Sequence, residues 1–207
     1  MRIVLFYSMI ASWLFFNESV PAFQLVKRQG TTWADLKPNQ PVLLNGAEIT
    51  EQLDPSTRVR KDYIKRGTDK EPILFYTHHR GIVVTVGHRG HTVLINDHEA
   101  SKSSKVIAVN LDTKQARQID VAAIEMYRRN ASPDARLWIA PDAYAFSPDD
   151  RQVLITMQLI DISASTPEEA VKAKLTYKQW WYIVDCDNGQ VVHEYRTNEL
   201  PEHWWIG

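Results

Sequence analysis

The sequence predicts a mainly β fold, two four-stranded antiparallel sheets packed together with two short helices inserted. Three observations predict it. From Pro72 onward, short apolar runs rich in Val, Ile and Tyr are broken by turn residues, the signature of strands. Several runs are apolar on both faces: Ile82, Val84 and Val86 oppose Val83, and Trp180, Tyr182 and Val184 oppose Trp181 and Ile183. Side chains alternate along a strand, so such strands are covered on both sides and their sheets must stack. The second half of the chain also repeats the first.

Taken in order, the chain opens with an export signal. Arg2 supplies a positive start, Ile3 to Phe16 is apolar, and Val20-Pro21-Ala22 offers small residues for cleavage, leaving a mature chain that begins at Phe23. The apolar stretch is shorter than the roughly 20 residues of a membrane-spanning helix. The mature chain, 23–207, is expected to form one β domain, with a loop-rich segment at 23–70 followed by repeats at 73–129 and 144–196.

Within the loop-rich segment, Thr32 is placed to cap a short helix with Asp35 in its first turn. Val42-Leu43-Leu44 runs into Asn45-Gly46, a pair suited to a two-residue hairpin turn. The basic run Arg58, Arg60, Lys61, Lys65, Arg66, Lys70 reads as a solvated loop or helix face. Strands are expected at Ile73–Thr77, Ile82–Val86, Thr92–Ile95, Val106–Leu111, Ala116–Ile119, Val153–Met157, Trp180–Asp185 and Val191–Tyr195. Asp120 is placed to cap a helix over Val121–Arg129 with Val121, Ile124 and Tyr127 on its apolar stripe. Thr166-Pro167-Glu168-Glu169 starts a second over Pro167–Lys174.

The repeat pairs Phe75-Tyr76-Thr77-His78-His79-Arg80-Gly81-Ile82 with Phe146-Ser147-Pro148-Asp149-Asp150-Arg151-Gln152-Val153, 71 residues on, and Val109-Asn110-Leu111-Asp112-Thr113-Lys114-Gln115 with Val184-Asp185-Cys186-Asp187-Asn188-Gly189-Gln190, 75 residues on. Each copy is an inner hairpin, a variable insert and an outer hairpin. These hairpins resemble the blades of WD40- and TolB-type β-propellers, a likeness that covers roughly Ile73 to Arg196. It implies four-stranded antiparallel blades. Closed propellers have about 4–8 of them, so two copies imply an incomplete propeller or, as favoured here, a twisted sandwich of two blade-like sheets with the N-terminal region covering an edge.

Lys and Arg number 24 against 25 Asp and Glu, and a near-neutral chain has no field to drive it onto nucleic acid or an anionic membrane. The one cysteine, Cys186, excludes an intrachain disulfide, and its acidic neighbours suit a plain buried thiol rather than a nucleophile. Gly-x-Ser-x-Gly, His-Glu-x-x-His and Gly-x-Gly-x-x-Gly are all missing from the sequence, so no catalytic residue is assigned and no cofactor is expected.

Five of the seven histidines fall between His78 and His98. Imidazole and carboxylate ligate zinc, which makes His78 or His79 with His88, His91 and His98 an alternative metal site, although no helical His spacing supports it. The favoured site is the polar stretch Asn96–Lys105, expected as a flexible loop on a stiff scaffold whose Asp97, His98, Glu99, Ser101, Ser103, Ser104 and Lys105 meet a partner. Trp204 and Trp205 are a second candidate surface. Export, a β scaffold and a polar loop together suit a protein-binding module, most simply a periplasmic inhibitor similar in outline to immunity proteins that block cell-wall hydrolases or toxins. A metal-dependent hydrolase and an envelope scaffold adaptor are the alternatives.

Overall fold

The computed structural model describes residues 31–100, 103–130, 137–161, 163–164, 167–175 and 177–196. The stretch expected to be an export signal, Ser101, Lys102, Thr166 and the Trp204–Trp205 pair lie outside them. The mainly β class with two short helices stands, but the described strands form three antiparallel sheets rather than two.

The first sheet is β2 (Val42–Leu44), β3 (Ala47–Leu53), β4 (Arg60–Lys65) and β5 (Ile73–His78), in that order. The Asn45-Gly46 turn is where the sequence puts it, with both residues at positive φ (46° and 78°). The segment expected to be loop-rich is thus a full sheet. The basic run becomes a strand because its period is two: Asp62 and Ile64 are buried while Lys61 and Lys65 are exposed, and cationic outward positions masked an inward-facing row.

The second sheet has the order β1 (Ala34–Asp35), β6 (Ile82–Val86), β7 (Thr92–Ala100), β8 (Ser103–Asn110) and β9 (Gln115–Gln118). The short helix expected at Thr32–Asp35 is instead an edge strand pairing Ala34 with Val84. The third sheet is β10 (Leu137–Phe146), β11 (Gln152–Asp161), β12 (Tyr177–Asp185) and β13 (Val191–Tyr195). Pro141 hid β10 from a sequence reading. It is accommodated because β10 lies at the edge of its sheet, where a missing N–H breaks no ladder.

Helix α1 (Val121–Asn130) buries Ala123 and Tyr127, and Asp120, expected to cap it, is instead buried with neither carboxylate oxygen hydrogen-bonded to the helix N–H groups. Val121, expected on its apolar stripe, is 53% exposed, so the buried face is rotated towards Ala123. Helix α2 covers Pro167–Lys172. No described helix is long and apolar enough to cross a membrane.

The middle sheet is buried on both faces, as its two-sided apolar strands require. Val84, Val86, Val93, Ile95, Ile107 and Val109 meet Leu44, Ile49, Ile64 and Phe75 of the first sheet. Leu94, Val106 and Ala108 meet Ala143, Phe146, Val153, Ile155 and Met157 of the third, together with Tyr127. Burying each of these larger side chains contributes about 1.5–3 kcal/mol.

The repeat is present with one change of register. The outer-hairpin turns match as read. Asn110 Oδ1 accepts from the N–H groups of Asp112 and Thr113, and Asp185 Oδ1 from those of Asp187 and Asn188. The inner hairpins do not, because β5 and β6 belong to different sheets and cannot form one. The counterpart of Phe146–Gln152 is Val86–Thr92, 60 residues earlier rather than 71: Gly87 N–H to Thr92 O and Gly90 N–H to Gly87 O reproduce Ser147 N–H to Gln152 O and Asp150 N–H to Ser147 O.

At this turn end the sheets are cross-linked. Asn45 Nδ2 donates to Val86 O at 2.7 Å. Asp150 accepts the N–H groups of His88 and Arg89 at 2.8 and 2.6 Å, and a Cβ on Gly87 would lie 2.6 Å from its Oδ2. Deeper in, Asn96 donates to Ala143 O at 3.0 Å and accepts from Ala143 N at 2.8 Å, beside the bulge between Ala143 and Ala145. Asp150 itself has φ of 61°, which Asn tolerates and Ala does not. Hydrogen bonds to a charged acceptor contribute about 1.5–3 kcal/mol. Asp150→Ala is therefore expected to lower the unfolding free energy in urea by about 2 kcal/mol, and Asp150→Asn by clearly less; equal losses would discount the carboxylate staple.

Candidate functional site

At the opposite end from the staples, the inward face of the first sheet changes character. Ala47, Ile49 and Ile64 are buried and apolar, and one step further along the same face stand Glu51 and Asp62, directly paired across β3 and β4 and both 0% exposed. The register shift between Asp62 and Tyr63 sets Tyr76 opposite Asp62 and His78 opposite Arg60. One strand irregularity thus gathers two carboxylates, an imidazole and a guanidinium.

Their contacts are specific. Arg60 Nη1 donates to Glu51 Oε1 at 2.7 Å, and His78 Nδ1 bonds the carbonyl of Arg80. His78 Nε2 lies 2.8 Å from Asp62 Oδ2 and 3.6 Å from Glu51 Oε2, ion-pair distances without hydrogen-bond direction. Glu51 Oε2, both Asp62 oxygens and His78 Nε2 are consequently buried with no hydrogen-bond partner. Burial, the largest influence, raises the Glu51 and Asp62 carboxyls above their ordinary range, with Arg60 and His78 respectively pulling against it. Burial lowers His78, but Asp62, the Arg80 carbonyl and Glu51 outweigh it and hold the imidazole above its usual value.

The cluster touches the middle sheet through Tyr76, whose ring stacks on His78 with centroids 5.6 Å apart and whose hydroxyl donates to Asp97 Oδ2 at 2.6 Å. Lys105 Nζ is 3.6 Å from the same oxygen. A cleft of about 280 Å³ opens here, lined by Tyr76, Thr77, His78, His79, Arg80, Asp97 and Lys105.

The sequence-predicted site residues fare differently. Asn96–Lys105 is strand rather than flexible loop: β7 pairs through Ala100 and β8 from Ser103. Asp97 is buried and held by Tyr76, so it is not a free surface group. Ser104 donates to Pro141 O at 2.7 Å, Lys105 is half-buried, and His98 is half-buried further along β7. The side chains of Glu99, Ser101 and Ser103 lie outside the described residues. Beyond Asp97 the hairpin has outrun β6, whose pairing stops at Ile82↔Asp97, and the β9 side, whose last backbone contact is Ile119 N–H to Val106 O. Among the described residues, 98–100 and 103–105 continue past those neighbours as a two-stranded arm.

His88, His91 and His98 do not come together. His91 precedes β7 and His98 stands within it, seven residues and about 23 Å apart at strand rise. His91 is exposed and its Nδ1 pairs with Asp112 at 2.6 Å, in a network with Arg66 and Asp69. Of the histidines proposed as ligands, His78 is the one that meets carboxylates as a group; among the described residues Glu51, Asp62 and His78 are the one such cluster. Glu51 and Asp62 were missed because acids in a charged stretch read as surface. The available signal was that each continues a buried apolar row at a spacing of two.

The fold and site define a mainly β protein of stacked antiparallel, blade-like sheets with a buried acid–histidine cluster between two of them. No family model matches the chain and no curated protein matches it. Among solved structures it is similar to the Pyrococcus horikoshii acylaminoacyl peptidase in its orthorhombic crystal form, at 10% identity and a TM-score of 0.44 over 84% of this chain and 26% of that one. It is also similar to an acylaminoacyl peptidase in complex with Z-Gly-Gly-Phe-chloromethyl ketone, at 10% identity and 0.42 over 81% and 26%. The chain spans about a quarter of the length of these structures.

Cys186 sits in the turn after β12, buried, with its thiol pushed well up by burial and then by Asp185 and Asp187. A thiolate is the reactive form. Native protein at pH 8 is accordingly expected to leave Cys186 unlabelled by a disulfide-exchange reagent over the time in which urea-unfolded chain reacts fully; rapid native labelling would contradict the burial.

Proposed function

We propose that the chain is an exported protein-binding module of the periplasmic inhibitor or immunity type, presenting the β7–β8 arm to a partner enzyme such as a cell-wall hydrolase or toxin. The observation carrying this reading is the arm itself. It extends past its sheet neighbours from a base fixed by Tyr76–Asp97 and Ser104–Pro141. A hairpin whose strands are already paired would lose less conformational entropy on entering a cleft than an unpaired loop. We read the sheets as blades of the WD40 and TolB type, a reading supported by the recurrence of one turn geometry at Asn110 and Asp185. A similar Asx turn recurs at Asp54, whose Oδ1 accepts the N–H groups of Ser56 and Thr57.

The reading predicts that protein recovered from the envelope begins at Phe23. It also predicts that the mature chain captures and slows a peptidoglycan hydrolase from the same envelope. Glu99→Lys with Lys102→Glu should weaken that binding at least tenfold. Undiminished inhibition by the charge-swapped arm would move the binding surface elsewhere. Absence of any bound or slowed hydrolase would end the inhibitor reading.

A further inference from the structure

We propose that Glu51, Asp62 and His78 form a binding site for one divalent transition-metal ion of the zinc class, a site distinct from the arm and independent of the inhibitor reading. The first ground is orphaned donors. Four buried side-chain atoms, Glu51 Oε2, Asp62 Oδ1 and Oδ2 and His78 Nε2, converge with no well-directed hydrogen bond, the one close contact among them being the 2.8 Å ion pair of His78 Nε2 with Asp62 Oδ2, and the ligand atoms of the three residues lie within 4.8 Å of one another. Buried polar atoms are nearly always satisfied, and a carboxylate as deeply buried as Asp62 is costly unless a cation meets it.

The second ground is the tautomer. A carbonyl only accepts, so the Arg80 contact puts a hydrogen on His78 Nδ1. The nitrogen facing the two carboxylates is then Nε2, whose lone pair would be repelled by them unless a proton or a metal stands between. Metal-ligating histidines characteristically donate their other N–H in this way. Glu51 is arranged likewise: Arg60 occupies Oε1 and leaves Oε2 for monodentate ligation. The separations from Nε2, 2.8 and 3.6 Å, straddle the edge of about 3.4 Å that tetrahedral bonds of about 2.0–2.2 Å produce.

The third ground is the chemistry of the donor set, which stands beside a cleft that reaches one ligand, His78, while Glu51 and Asp62 lie beneath it at 0% exposure. One imidazole nitrogen with two carboxylate oxygens selects a borderline ion over Mg²⁺ or Ca²⁺, which take oxygen ligands. All three ligands stand on paired strands, so the site is preorganised.

The test loads the chelator-treated mature chain with Zn²⁺. One ion per chain should survive dialysis, and at a hundred times the Kd the Tm should rise by about 5–10 °C. Mg²⁺ and Ca²⁺ should do neither. Glu51→Gln and Asp62→Asn should each lower zinc affinity at least tenfold, while the double variant His88→Ala, His91→Ala keeps full stoichiometry. Because the buried variants could fail to fold, the unmodified chain provides a second readout: zinc should shift the imidazole NMR signals of His78 and leave those of His88 and His91 in place. No stoichiometric zinc, a response at His88 and His91 instead, or unchanged affinity in folded Glu51→Gln would each overturn the site.

Discussion

A single buried amide couples the middle sheet to the third. Where β10 bulges at Ala143, its backbone N–H and C=O turn away from the ladder at the centre of the stack, where water cannot satisfy them. Asn96 supplies one acceptor and one donor in the geometry of a strand, so its side chain acts as a short piece of additional backbone. Apolar packing alone would allow the two sheets to slide, since dispersion is non-directional. The amide fixes their register. The same register sets Ser104 on Pro141 and Asp150 on the β6–β7 turn.

What the sequence made legible was local chemistry. The Asn45-Gly46 and Asp185–Gly189 turns, the two-sided strands Ile82–Val86 and Trp180–Asp185, and the starts of both helices are dictated by residues a few positions apart. Non-local decisions were harder to read. Whether β5 closes the first sheet or opens the second depends on whether Ile73 pairs with Ile64 or the chain crosses over, and both alternatives share the same apolar pattern. Pro141 and the lysines of β4 are penalties in a typical strand, and both are absorbed by position, one at an edge and the other on an open face. The candidate site was obscured for a related reason. Histidine density drew attention to His88 and His91, which are surface-turn residues, while the chemistry collects on Glu51 and Asp62, which look ordinary until their pairing is known.

The acid–histidine cluster also shows how the fold uses its two ends differently. Turn carboxylates and amides meet backbone donors and acceptors at the stapled end, so each polar group there has a defined partner. At the arm end the polar groups instead face one another across β3, β4 and β5, and the charge balance is carried by Arg60, His78 and Lys105 against three carboxylates. Tyr76 touches both His78 and Asp97, which makes it the physical link between the cluster and the base of the arm.

The layered arrangement has a consequence for cooperativity. The two large apolar clusters share the middle sheet, each joining it to one neighbour, so coupling runs from layer to layer as in a one-dimensional array. In such an array an outer layer can open while the rest stays folded, but the central layer cannot open without releasing both. Amide protons of β6, of β7 up to Asp97 and of β8 from Val106 should therefore exchange only through global unfolding, whereas those of β2 and β13 report fraying from the ends. The protein resembles a short stack of cards held by its middle card, with its protection against proteolysis graded outward from there.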